Sequence, residues 1–157
     1  QPVDFEKMSL PLEAWILFRL LASFCGVFGF SVMFNSPVRL AAVAAGIGAV
    51  ANTFRLELVD LTACPPAAAA FMGALAAGLL ASLIKSRVGY PRISVTVPSI
   101  VIMVPGLYLY RGFYNLGMMS LSASASWFAS AILIVAALPL GLIFARILTD
   151  KTFRYCT

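Results

Sequence analysis

The stretch VPSIVIMVPGLYLYRG, residues 97–112, is apolar enough to lie in a membrane, yet it contains helix breakers and a charge. Proline removes a backbone donor and clashes with the preceding turn, glycine weakens a helix, and a charge in hydrocarbon is costly. The combination predicts a membrane-spanning helix that is interrupted at Pro98 and again at Pro105-Gly106, with Arg111 shortly after the second break.

Composition places the chain in a membrane. Of its 157 residues 62% are hydrophobic and 11% are charged, whereas a soluble domain is about 45–50% apolar and about 25% charged. A soluble monomer of this size could not hide that much apolar side chain from water. We therefore expect an all-α integral membrane protein, with one transmembrane helical domain over residues 1–157. The net charge of +5 comes from basic residues at the ends of apolar runs, which favours a lipid bilayer over nucleic acid as the partner.

Residue types exclude several kinds of enzyme. The absence of histidine removes histidine-based zinc sites, the Ser-His-Asp triad and the Cys-His pair. The three cysteines, Cys25, Cys64 and Cys156, show neither metal-ligand spacing nor a disulfide framework. The sequence has no glycine-rich phosphate loop and no paired acidic metal site, so we expect neither catalysis nor a cofactor nor a bound metal.

Five apolar runs are long enough to cross about 30 Å of hydrocarbon as helices. They cover residues 15–34, 38–60, 67–84, 93–116 and 121–148. The N-terminus lacks the positive region and the cleavage site of a secretory signal, so we expect the first run to be a retained span. Basic residues favour the cytoplasmic side, and an outer N-terminus with a cytoplasmic C-terminus places most of them there: Arg39, Lys85, Arg87, Arg92, Arg146, Lys151 and Arg154.

Small residues spaced along single helix faces predict the seams at which the helices pack, because they let backbones approach closely. The third run supplies Ala69, Gly73, Ala77 and Ala81, and the fifth supplies Ala129, Ala137, Gly141 and Ala145.

The broken fourth run is the first candidate for a functional site. Pro105 would leave the carbonyl of Val101 without its helical partner, and Pro98 would do the same nearer the inner end. Such a break is tolerated where it is buried in protein or lines a wet cavity, and transporters bind substrates at breaks of this kind. The alternative is a proline kink that is simply packed against neighbouring helices.

A second candidate follows the break. Tyr108, Arg111 and Asn115 share one helix face, on which arginine could bind a carboxylate with two hydrogen bonds while the other two donate as neutral groups. The alternative is an interfacial anchor of arginine and aromatic residues.

Polar residues also collect late in the second run. Asn52 and Arg55 are predicted on one face, and Glu57 and Asp60 on another. A carboxylate pair inside a bundle could carry protons or hold a substrate ammonium, with Arg19 as a counter-ion, whereas the alternative places both carboxylates at the outer interface in water. The stripe of Ser122, Ser126 and Ser130 could line a polar path or only bond to the backbone.

The segment FGFSVMFNSPVRL, residues 28–40, and the Pro105-Gly106 stretch resemble the threonine/serine exporter family, in its small-subunit, YjjB-like type. The likeness covers nearly the whole chain and rests on the following residues: Phe34, Asn35, Pro37, Arg39, Pro98, Pro105 and Gly106.

This resemblance implies a subunit of a secondary exporter of small hydrophilic metabolites, multi-pass in the bacterial cytoplasmic (inner) membrane. Its substrates would be threonine- or serine-type amino acids or a dicarboxylate such as succinate. It implies a hetero-oligomer with a larger, YjjP-like membrane subunit, and the substrate pathway would then include Asn35, Asn52 and Arg55 as well as the broken span. The alternative is a structural or regulatory subunit that does not itself transport.

Overall fold

The computed structural model describes residues 11–150, except for the side chains of residues 85–88. This part of the chain is all-helical, which confirms the predicted class. The helices are α1 (Leu12–Met33), α2 (Val38–Thr62), α3 (Pro66–Val88), α4 (Ile93–Val101), α5 (Gly106–Gly117) and α6 (Leu121–Thr149). The basic tail with Lys151 and Arg154 lies outside the described residues.

Four of these helices, α1, α2, α3 and α6, are long and apolar enough to cross a membrane. The short helices α4 and α5 meet the same test together and are bent by 41° at the break between them, so they form either a fifth, broken span or a re-entrant pair. The helix bounds agree with the predicted runs to within a few residues. Prolines immediately precede the first three helices, because the first helical turn needs no backbone donor there: Pro11, Pro37 and Pro65.

The core lies between α2 and α3 and their neighbours. α2 packs along α1, α3 and α4, whereas α3 also packs along α6, and α5 lies against α6. The predicted small-residue seam of α3 is buried throughout, and a Cβ added at Gly141 of α6 would lie only 2.5 Å from the Phe71 carbonyl oxygen. Close approach of backbones through small residues therefore brings α3 and α6 together, as predicted. Ala129 of the predicted α6 seam is exposed and does not belong to it.

The break in the fourth span is confirmed at one of its two predicted places. α5 begins at Gly106, directly after Pro105. The second predicted interruption is wrong, because Pro98 is buried inside α4 and the helix continues through it. The proline ring removes only one backbone hydrogen bond. The next residue, Ser99, attaches α4 to α2, because its hydroxyl lies 2.6 Å from the Val95 carbonyl and 3.0 Å from the Ala44 carbonyl of α2.

Pro105 deprives the Val101 carbonyl of its helical partner, as predicted, but the carbonyl is not left unpaired. The backbone N–H of Val104 donates to it at 3.1 Å, and the N–H of Met103 donates to the Ile100 carbonyl at 2.9 Å. These are three-residue, 3₁₀-type hydrogen bonds, which commonly tighten the last turn of a helix and satisfy its final carbonyls. The backbone carbonyl that accepts a hydrogen bond from another helix is that of Met103, two residues further on.

Candidate functional site

The break between α4 and α5, residues 102–105, packs against glycines of two other helices, α1 and α3. A Cβ at Gly26 of α1 would lie 2.8 Å from Ile102 Cδ1, and one at Gly73 of α3 would lie 3.2 Å from Met103 Sδ. Met103 is fully buried as a result, and Pro105 is buried too. The break is thus buried in protein at Met103 and Pro105, whereas Val104 between them is exposed. Burial in protein is a condition under which a membrane tolerates non-helical backbone.

Arg55 of α2 reaches into this break. Its Nη1 donates a hydrogen bond to the Met103 carbonyl oxygen at 3.2 Å, while its buried Nε has no hydrogen-bond partner in the described part of the chain. Within the described residues, no carboxylate lies within ion-pair distance of Arg55. A guanidinium buried without a counter-charge is expensive in a membrane, so this arrangement is suited to an anion that arrives from elsewhere.

Two polar side chains that shortly precede Arg55 in α2, those of Asn52 and Thr53, are buried. The Asn52 amide nitrogen donates to the Ser23 hydroxyl of α1 at 2.8 Å, but its Oδ1 accepts no hydrogen bond within the described structure. The same holds for the Thr53 hydroxyl. Buried polar atoms without partners are rare in folded proteins, and each one marks a place that water, a ligand or another chain could satisfy.

Arg19 joins the two acidic residues of α2, as the sequence suggested. Its Nη1 lies 2.7 Å from Glu57 Oε1, and its Nη2 donates to Asp60. The three side chains are partly buried, and the Arg19 guanidinium also lies 5.0 Å from the ring centre of Trp15. Glu57 and Asp60 therefore form one ionic cluster with α1, and they do not reach Arg55.

The predicted carboxylate-binding face of α5 is packed against α6. The Arg111 guanidinium lies 4.9 Å from the ring centre of Trp127, and the Tyr108 ring lies 5.6 Å from the same ring. The Asn115 amide nitrogen donates to the Arg111 carbonyl at 2.8 Å, so part of its donor capacity is used within its own helix. Tyr108 also packs against the buried cluster that contains Met103, and this links the face to the break.

A family comparison adds to this geometry. Residues 19–148 match the family model described as "Threonine/Serine exporter, ThrE". The chain belongs to the threonine/serine exporter family. Comparison with curated proteins and with solved structures gives no match. The protein is therefore a multi-pass component of a membrane transporter of this exporter type, and the predicted resemblance to the family is confirmed.

In this threonine/serine exporter component, Asn35 lies apart from the other predicted pathway residues. It occupies the turn between α1 and α2, is exposed, and adopts a left-handed conformation with φ of 58°, which asparagine tolerates better than most residues. Of the serine stripe, Ser130 donates to the Ser126 carbonyl at 3.0 Å, which is the backbone bonding that was the alternative to a polar path.

Three residues of the exporter's candidate site were missed by sequence reasoning. Ser23 follows Arg19 by four residues and shares its helix face, so spacing could have found it. Trp127 could have been paired with Arg111 only by knowing that α5 and α6 pack together. Met103 acts through its backbone carbonyl, for which the side chain gives no signal.

Proposed function

We propose that this chain is the small subunit of a two-part secondary exporter, and that Arg55 receives the carboxylate of the substrate at the α4–α5 break. The substrate is a small hydrophilic metabolite, either an amino acid of the threonine or serine type or a dicarboxylate such as succinate. The larger, YjjP-like subunit completes the pathway in the bacterial inner membrane, where the chain has its N-terminus outside and its C-terminus inside.

The observation that carries this proposal is the incomplete pairing of Arg55. Its guanidinium uses one hydrogen bond on the Met103 carbonyl, and its Nε is buried without a partner. A carboxylate accepts two parallel hydrogen bonds from a guanidinium, so a substrate carboxylate would supply both the missing acceptor and the missing charge. All substrates under consideration carry such a group.

Tyr108 and the break itself supply the remaining parts of the proposed site. Tyr108 packs against the buried cluster that contains Met103, and its hydroxyl can donate and accept hydrogen bonds. The Met103 carbonyl lies in the non-helical segment that precedes α5. Free backbone groups at a broken helix bind polar substrates in many secondary transporters. The other predicted residues of the broken span then support the site from its surroundings: Pro98, Val101, Arg111 and Asn115.

The proposal is tested by efflux from vesicles that contain this chain with and without its larger partner. Vesicles loaded with labelled threonine, serine or succinate are followed under an imposed proton gradient. We expect efflux of one substrate only when both chains are present, and its loss in Arg55→Gln. The matched control is Arg39→Gln, which removes an exposed arginine from the same helix. Efflux that survives Arg55→Gln while the protein is inserted and associated would overturn the assignment.

We also propose that Glu57 and Asp60 couple export to the proton gradient. Both carboxylates are bound by Arg19 in this structure. Protonation of either carboxylate would weaken the ionic interaction between Arg19 of α1 and α2. A proton could thus change how α1 and α2 fit together, and α2 carries Arg55. Glu57→Gln should permit exchange of substrate across the membrane while abolishing accumulation driven by the gradient.

A second candidate function, a structural or regulatory subunit without transport, is favoured by the dense packing of the break. Met103 is fully buried and Ile102 is packed against Gly26. The two functions differ in whether water reaches the break. A single cysteine is introduced at Met103 in a variant whose native cysteines are replaced. If the break opens during transport, this cysteine should react with a water-soluble thiol reagent, and substrate should protect it. If the break stays packed, it should not react.

A further inference from the structure

A cleft of about 550 Å³ lies between the beginning of α4 and the end of α6, away from the α4–α5 break. Its polar lining consists of Arg92, Arg146, Thr96 and Asp150. Among these described lining residues, the two arginines outnumber the single aspartate. It belongs to the end of the bundle at which we place the cytoplasm.

Arg92 is held in place before any ligand binds. Its Nη1 donates to the Thr149 hydroxyl at 2.8 Å, and its Nη2 donates to the Gly78 carbonyl at 2.7 Å. Burial, together with repulsion from Arg146, lowers the pKa of the Arg92 guanidinium, while Asp150 acts in the opposite direction. An anion bound between the two arginines would relieve their mutual repulsion, and one of them is already fixed in position.

The remaining walls of the cleft are apolar and open towards the lipid-facing surface. Ile93 and Val97 of α4 form one wall, and Ile143 of α6 forms the other. All three side chains are exposed at the surface of the protein. A small zwitterionic metabolite has nothing to place against such walls. A phospholipid has both parts, namely an anionic headgroup for the arginines and an acyl chain for the apolar walls.

We propose that the cleft between α4 and α6 binds an anionic phospholipid, whose headgroup phosphate is held by Arg92 and Arg146. Basic pockets between helices at the cytoplasmic side are suited to this chemistry. The bound lipid would fasten the beginning of α4 to the end of α6. It would thereby support one end of the broken span from a place distinct from the break.

The test uses the full chain, purified in detergent and stripped of lipid, and follows its thermal unfolding during titration with phosphatidylglycerol. Phosphatidylcholine and inorganic phosphate serve as the comparison probes. We expect phosphatidylglycerol to raise the unfolding temperature of the unaltered protein, with little effect from phosphatidylcholine. Inorganic phosphate should also have little effect, since it lacks the acyl chain.

Two variants probe the two parts of the site. Arg146→Gln removes a headgroup contact, and we expect the half-saturating concentration of phosphatidylglycerol to rise about fivefold. Val97→Trp fills the cleft from an exposed position and should abolish the response. Arg39→Gln is the matched control, because it removes one exposed positive charge outside the cleft, and it should respond like the unaltered protein.

Three results would overturn the proposal. Equal losses in Arg146→Gln and Arg39→Gln would mean that only the total positive charge matters. An unchanged response in Val97→Trp would place the lipid elsewhere. A response to inorganic phosphate as strong as that to phosphatidylglycerol would identify a simple anion site without a lipid component.

Discussion

Arg55 Nη1 donates a hydrogen bond to the Met103 carbonyl oxygen at 3.2 Å, and this bond joins α2 to the break between α4 and α5. The donor belongs to the long helix α2, whereas the acceptor belongs to backbone between α4 and α5. A conformational change at the break therefore affects α2 through this hydrogen bond, and a movement of α2 affects the break. This relationship underlies the first prediction.

Pro105→Ala should lower export while leaving membrane insertion intact. Alanine restores the backbone donor at position 105 and permits a straighter helix, which would draw the Met103 carbonyl away from Arg55. We expect efflux to fall about tenfold or more, because a displaced binding group has effects of that size. Pro139→Ala is the control, since Pro139 is an exposed proline inside α6. Equal efflux in the two variants would show that the break has no role in transport.

Gly141→Ala should destabilise the protein, because the added methyl group would meet the Phe71 carbonyl oxygen and Ala74 Cβ of α3. Overpacking of this kind costs about 1–3 kcal/mol, and the gain of about 1 kcal/mol in helix propensity offsets part of that. Gly29→Ala in α1 is the control, because nothing lies within 4 Å of its Cβ position. Thermal unfolding in detergent should show a lower midpoint only for Gly141→Ala, and equal midpoints would contradict the close α3–α6 packing.

The hydrogen bond between Asn52 and Ser23 should contribute about 1 kcal/mol to the stability of the α1–α2 pair. Ser23→Ala leaves a buried amide donor without its acceptor, so it should lower the free energy of unfolding. A double-mutant cycle with Asn52→Leu isolates the pairwise contribution. Ser122→Ala, at an exposed position on α6, should have no measurable effect. A coupling energy of zero would mean that the two side chains do not interact in the membrane.

Arg19 should be coupled energetically to Glu57 and Asp60. Arg19→Gln removes the guanidinium that binds both carboxylates, and we expect a loss of about 2 kcal/mol in unfolding free energy. The triple change Arg19→Gln, Glu57→Gln and Asp60→Asn should cost less than the sum of its parts, because the three side chains act on one another in a single cluster. Arg39→Gln, at an exposed position, should change stability by less than about 0.5 kcal/mol. Strict additivity among the three changes would contradict a shared ionic cluster.

Parts of the candidate site could be read from spacing along single helices. Glu57 and Asp60 are three residues apart and do share one partner, Arg19, and the seam of α3 is buried where small residues recur. Prediction failed where a bond depends on local backbone geometry. The Val101 carbonyl finds the Val104 N–H in a tight turn, and Pro98 is accommodated inside α4 because Ser99 lies against the Ala44 carbonyl of α2.

The sequence by itself determined the class of the protein, the bounds of its four long apolar helices to within a few residues, and the break before Gly106. These properties depend on composition and on the chemistry of single residues, which act locally. Only the tertiary structure decided that Arg55 faces Met103, that Arg111 lies on Trp127 and that Asn52 pairs with Ser23. Such pairings depend on how neighbouring helices are rotated and shifted against one another, and that register is set by close contacts between residues far apart in the chain.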